Sequence, residues 1–168
     1  TAVVTDHMIS QSAQAQGNVP VTFGQVFKKG DVPRGTKVTA TVNGQPVTLQ
    51  VDPKATNPDG SLRHAVLTVI VPSLPGKAKL PVTLSTRPAP VATAQAAPVS
   101  LAQLLATGYD AKVVLNIGGK NHTADVRALL QAASMTHACK PWNSQCNVWL
   151  SGPLASEWVV NGPVEAAD

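Results

Sequence analysis

Apolar and polar residues alternate with a period of two over much of this chain, the mark of half-buried strands. The pattern peaks over residues 62–71. Leu62, His64, Val66, Thr68 and Ile70 would share one face of a strand, and Arg63, Ala65, Leu67, Val69 and Val71 the other. Both faces turn apolar from Ala65 on, which predicts a central strand covered on both sides. Ahead of it stands a turn, Asn57-Pro58-Asp59-Gly60-Ser61. Pro58 presets φ, and Gly60 can take φ > 0 without a Cβ clash. The strand before this turn, residues 45–51, is expected beside residues 62–71.

The same reading places strands over residues 3–14, with Val4, Met8 and Ile9 as core candidates, and over 19–27, 37–42 and 78–85. Val19, Val21 and Phe23 form one apolar face, and Gly24 inside that strand implies a bulge or a close backbone approach. Asn43-Gly44 is the strongest short hairpin signal, because both turn residues must take φ > 0. Residues 87–100 are rich in Ala and Pro and form a linker between two lobes. Beyond it, Ser100 caps a short helix over residues 101–106. Strands at 111–117 and 120–124 flank Gly118-Gly119, and a helix is expected over 125–133 with Val126, Leu129 and Leu130 on one side. Two late strands, 147–150 and 157–161, are split by Ser151-Gly152-Pro153. The fold class is therefore mainly β, with one or two short helices. The domains are a β-rich lobe over 1–86, the linker over 87–100 and a second β-rich lobe over 101–168. That second lobe has too few strands for a closed core and reads as the start of a longer sandwich.

Composition sharpens this picture in a few places. The chain has 168 residues with 14 prolines and 12 glycines, which suits many short strands. The net charge of +4 is modest and scattered, with Lys28-Lys29 the densest cluster. No basic run alternates with aromatics, which argues against nucleic-acid binding. No apolar run reaches membrane-spanning length. The opening Thr1-Ala2-Val3-Val4 carries neither Met nor a basic region, and such a chain reads as part of a longer, processed or truncated polypeptide. Cys139 and Cys146 enclose a polar loop with a proline. They form either a short disulfide, which implies an oxidising setting, or two free thiols. Zinc is disfavoured: His137 lies nearby, but no fourth ligand is evident.

Candidate chemistry is sparse. Asp52, Asp59 and His64 could act as acid and base or hold a metal, whereas the plainer reading has Asp59 capping its own turn and His64 hydrogen-bonding at a sheet end. Ser61 lacks a neighbouring base and nucleophile-elbow glycines. Lys28, Lys29 and Arg34 share one loop, which is solvated or attracts an acidic polysaccharide or phosphate. Trp142, Trp149 and Trp158 either pack or stack on sugar rings.

Three stretches carry a resemblance: Asn18-Val19-Pro20-Val21-Thr22-Phe23-Gly24-Gln25-Val26-Phe27-Lys28-Lys29-Gly30-Asp31-Val32-Pro33, Leu49-Gln50-Val51-Asp52, and Pro58-Asp59-Gly60-Ser61-Leu62-Arg63-His64-Ala65. Together they resemble the N-terminal RIFT-barrel domain of exo-rhamnogalacturonan-lyase-like proteins. The same domain opens large proteins of tailed bacteriophages, and Trp149-Leu150-Ser151-Gly152-Pro153-Leu154-Ala155-Ser156-Glu157-Trp158 looks more like the phage branch. The resemblance implies a six-stranded barrel and a multidomain parent whose catalysis, where present, sits in a later domain. It marks a fold, not a catalytic centre. It therefore implies no cofactor, no metal and no enzyme activity for this chain. The expected role is a structural module of a phage tail or fibre protein, docking other virion proteins as a homo-oligomer. The alternative is a secreted, non-catalytic accessory domain of a polysaccharide lyase that binds acidic sugar. Asn121-His122-Thr123 matches the glycosylation acceptor pattern, which carries no meaning in a phage or bacterial cytoplasm.

Overall fold

The computed structural model describes residues 1–88, 96–139 and 146–166. The longest strand, β6 (Leu62–Leu74), lies between β2 (Gln16–Val26) and β5 (Leu49–Thr56) in an antiparallel sheet. A second sheet has the order β1–β7–β3–β4, from β1 (Ala2–Ile9), β7 (Lys79–Pro88), β3 (Thr36–Val42) and β4 (Gln45–Val47). The inward faces of the two sheets meet in one core. Ala65, Leu67, Val69 and Val71 of β6 have no exposed surface, and they pack with Val38, Ala40 and Val42 of β3 and Val82 and Leu84 of β7. These residues alternate along their strands, so the period of two in the sequence is the period of burial.

Local chemistry explains the turns. Asn43 and Gly44 have φ of 50° and 77°, and Val42 pairs with Gln45 across them. Gly60 has φ of 81° in the turn joining β5 to β6. At Gly24 no bulge occurs, since the β2–β6 register runs unbroken from Val19↔Val71 to Val26↔His64. Nor does another backbone segment approach it closely: the nearest group a Cβ there would meet is the His64 ring, with Nε2 3.4 Å away in ordinary van der Waals contact.

Two expectations are corrected. Ile9 is 60% exposed, whereas Val4 and Met8 pack on the core. Adjacent strand residues point to opposite faces, so Met8 and Ile9 cannot both enter it. Residues 45–51 are not one strand beside β6. The chain changes sheets at Thr48, with β4 bonded to β3 and β5 bonded to β6. Val47, Leu49 and Val51 keep their inward facing through this corner. Over residues 1–88 seven strands form two sheets, and no closed ring is detected among the described residues. Among the described residues, no ladder joins β4 to β5 or β1 to β2. The β1–β2 side is an open groove of about 360 Å³ lined by Asp6, His7, Met8, Ile9, Val21, Phe23, Leu74 and Val82.

The second lobe begins at α1 (Leu101–Leu105). Ser100 caps it, accepting from Gln103 N at 3.1 Å while Gln103 Oε1 accepts from Ser100 N at 2.7 Å. A hairpin follows, β8 (Lys112–Ile117) and β9 (Lys120–Asp125), joined by Gly118 and Gly119 at φ of 60° and 81°. Asp125 then caps α2 (Val126–Ala132), which buries Leu130. Arg127 ties the two helices together, donating to Leu105 O and Tyr109 O, each at 2.8 Å. Next, β10 (Val148–Ser151) pairs with β11 (Ser156–Trp158), and β12 (Glu165–Ala166) adds to the free side of β9. Cys139 and Cys146 are joined by a disulfide, and both are buried. Next to it, Ala138 forms a parallel bridge with Val148. Among the described residues, no helix is long and apolar enough to cross a membrane.

Candidate functional site

The Asn57–Ser61 turn is organised around a buried hydroxyl. Ser61 is 2% exposed. Its Oγ donates to Asp59 Oδ1 at 2.6 Å, and accepts from Asn57 Nδ2 at 3.0 Å and from Gly30 N at 3.1 Å. Ser61 N also donates to Asp59 Oδ1, at 3.0 Å. One donor and two acceptor positions are all a hydroxyl has, so Ser61 is saturated and holds no proton for chemistry. The turn is locked onto the preceding loop, since Leu62 N donates to Val32 O and Phe27 N to Arg63 O. The two hydrogen bonds from Ser61 favour ionised Asp59 and hold its carboxyl below the usual range, with a smaller contribution from the Lys29 charge. Lys28 and Lys29 themselves are exposed.

Asp52 belongs to a different neighbourhood. Four strand residues separate it from the turn, a distance of about 10 Å or more at ~3.3 Å per residue. Asp52, Asp59 and His64 therefore do not meet as one acid–base or metal cluster. His64 leans toward Gly24, while Asp59 serves its own turn.

Asp52 instead joins a polar row on the outer face of β5, where Gln50, Asp52 and Lys54 alternate with inward-facing Leu49 and Val51. This row grips residues 149–155 of the second lobe. Gln50, 4% exposed, accepts from Leu154 N and Ala155 N through Oε1, both at 2.9 Å. Its Nε2 donates to Ala155 O at 2.8 Å and to Asp52 Oδ2 at 2.7 Å. Asp52 Oδ1 accepts from Ser151 N at 3.0 Å. Lys54 Nζ donates to Trp149 O and lies 4.1 Å from the centroid of the Trp149 ring. These five hydrogen bonds across the boundary all end on main chain of residues 149–155, so the row reads backbone shape. One position is constrained by size: a Cβ on Gly152 would lie 2.1 Å from Gln50 Cδ.

This docking explains the doubly apolar β6. Thr68 is fully buried and stands in register with Gln50 on one side and Thr22 on the other, and the two threonine hydroxyls are 3.0 Å apart. The outer face of the sheet is covered here by the second lobe. Gln50, Lys54 and Gly152 were not singled out from sequence. The available signal was a polar i, i+2, i+4 row beside a strand with no solvent face.

Of the tryptophans, Trp149 is engaged by Lys54, and Trp158 is half-buried and pairs with Val148. Trp142 lies outside the described residues. A second surface is the hairpin strand β8, all six of whose residues are exposed and which bonds only to β9 among the described residues.

No curated protein and no solved structure matches the chain. A family model does match part of it. Residues 5–79, fewer than half of the 168 but containing most of the two-sheet core and the saturated Ser61 turn, are similar to the family described as the PcRGLX-like N-terminal RIFT barrel domain.

Proposed function

We propose that this chain is a non-catalytic structural module of a larger protein, in which the two sheets are the halves of a RIFT-type barrel and the second lobe presents a docking edge to other chains. The observation that carries this reading is β8, an exposed aliphatic strand that is an edge of its sheet among the described residues and so a template for a further strand. Two further features support it. Asp59, one of the acid–base candidates of the matched region, is consumed together with Ser61 in holding a turn. Trp149, offered by the sequence for sugar stacking, has Lys54 Nζ seated over its ring at 4.1 Å from the centroid.

The setting proposed is the virion of a tailed phage, with neighbouring virion proteins as partners. It rests on the resemblance of residues 149–158. Mass spectrometry of purified particles from a host carrying this sequence tests it. Stoichiometric peptides in particles are the expected result. Their absence, with the protein free in the culture medium, would overturn the virion setting in favour of a secreted lyase accessory domain.

A further inference from the structure

Among the described residues, strand β8 gathers four exposed large aliphatic side chains. Val113, Val114, Leu115 and Ile117 are 47, 55, 44 and 58% exposed. Natural edge strands are usually blunted by charge, proline or a bulge. Here Lys112 is the one charge, proline is absent, and the register with β9 is unbroken from Lys112↔Asp125 to Ile117↔Lys120.

We infer that β8 pairs with β8 of a second copy of this chain, antiparallel and centred on Leu115. The inference rests on the docking reading above and names its partner. Backbone geometry sets the register. A two-residue turn with both φ positive makes Ile117 and Lys120 a hydrogen-bonded pair. By alternation, Val113, Leu115 and Ile117 bond inward to β9, whereas Lys112, Val114 and Asn116 aim N–H and C=O at the free edge. Two copies related by a two-fold axis perpendicular to the sheet present the same face, so paired positions share parity. Centring on Leu115 makes Val114 and Asn116 of opposite copies the bonded pairs. On one face it aligns Val113 with Ile117, Leu115 with Leu115, and Ile117 with Val113. Three aliphatic pairs form an uninterrupted row. Lys112 falls opposite Gly118, so no like charges face each other. The interface is isologous, which closes at two copies rather than propagating. Its area is limited to a short strand edge and a few side chains. It therefore falls below the ~1,200 Å² of standard interfaces, which makes the dimer weak and concentration-dependent.

Sedimentation velocity of the full chain, over a series reaching several hundred micromolar, is the test. A reversible monomer–dimer equilibrium is expected. Leu115→Lys and Leu115→Glu each place like charges in direct opposition and should raise the dissociation constant about tenfold or more. An equimolar mixture of the two should restore dimer, because each lysine then faces a glutamate. Val114→Pro removes an outward-facing N–H without touching the β9 ladder, and should abolish dimer with an unchanged circular dichroism spectrum. A chain that stays monomeric throughout, a dimer indifferent to Leu115→Lys, or a mixture that fails to recover would each overturn the inference. None of these outcomes depends on whether the protein is found in virions.

Discussion

Gly152 and Gln50 should be energetically coupled across the boundary between the lobes. In Gly152→Ala the new methyl would occupy the place of the Gln50 amide, at 2.1 Å from Cδ, 2.3 Å from Oε1 and 2.5 Å from Nε2. The amide must leave, and with it four hydrogen bonds: to Asp52, to Ala155 O, and from the N–H groups of Leu154 and Ala155. At roughly 0.5–1.5 kcal/mol net per bond, and with partial rescue by water, the loss is about 2–3 kcal/mol. Gln50→Ala removes the same bonds and should cost about the same. In the Gln50→Ala background, however, the methyl added at position 152 meets empty space. The double variant should then be no less stable than Gln50→Ala alone, giving a coupling of about 2 kcal/mol. Urea unfolding followed by tryptophan fluorescence suits the measurement, since Trp149 lies at the boundary itself. With a slope of about 2 kcal/mol per molar, each single variant should lower the midpoint by about 1 M. Additive losses in the double variant would refute the argument, because they would mean that the two residues are not in contact in solution.

Other tests are more direct. Asp59→Asn should weaken the turn at neutral pH and lose its effect in acid. The folded carboxyl titrates below its unfolded value, so its stabilisation is present above the unfolded pKa and vanishes as pH falls through the folded one; midpoints of wild type and variant measured from neutral to strongly acidic pH should converge. Leu67→Ala, at a position with no exposed surface, should cost about 2–5 kcal/mol by urea titration, against little for Ile9→Ala. Replacing both Cys139 and Cys146 by Ser, which opens a loop of sequence separation 7, should cost about 2.4 kcal/mol on the chain-entropy account. Because both sulfurs are buried, the native disulfide should also resist dithiol reductants until unfolding begins, as read by thiol-alkylation mass shifts.

Much of the architecture was legible in short stretches of sequence. The central place of β6 followed from its two apolar faces. The Asn43-Gly44 and Gly118-Gly119 hairpins followed from the steric requirement for positive φ. Ser100 announced α1, and the polar loop between Cys139 and Cys146 allowed the bridge that joins them. Each of these depends on forces acting over a few residues: backbone sterics, side-chain period and local capping.

What sequence could not supply depends on residues far apart in the chain. Nothing local marks Thr48 as the point where one apolar run passes from one sheet to the other, because Val47, Leu49 and Val51 face the same core on either side of it. Only the closing of the two sheets chooses the break. Gln50 looks like an ordinary exposed strand residue until residues 154 and 155, more than a hundred positions later, place their N–H groups on its amide. Ser61 looks like a free hydroxyl until Gly30 and Asn57 claim its lone pairs. Local pattern limits each residue to a face and a period. Which partner fills that face is decided by packing, since many arrangements satisfy the same local rules and only one buries all these groups together.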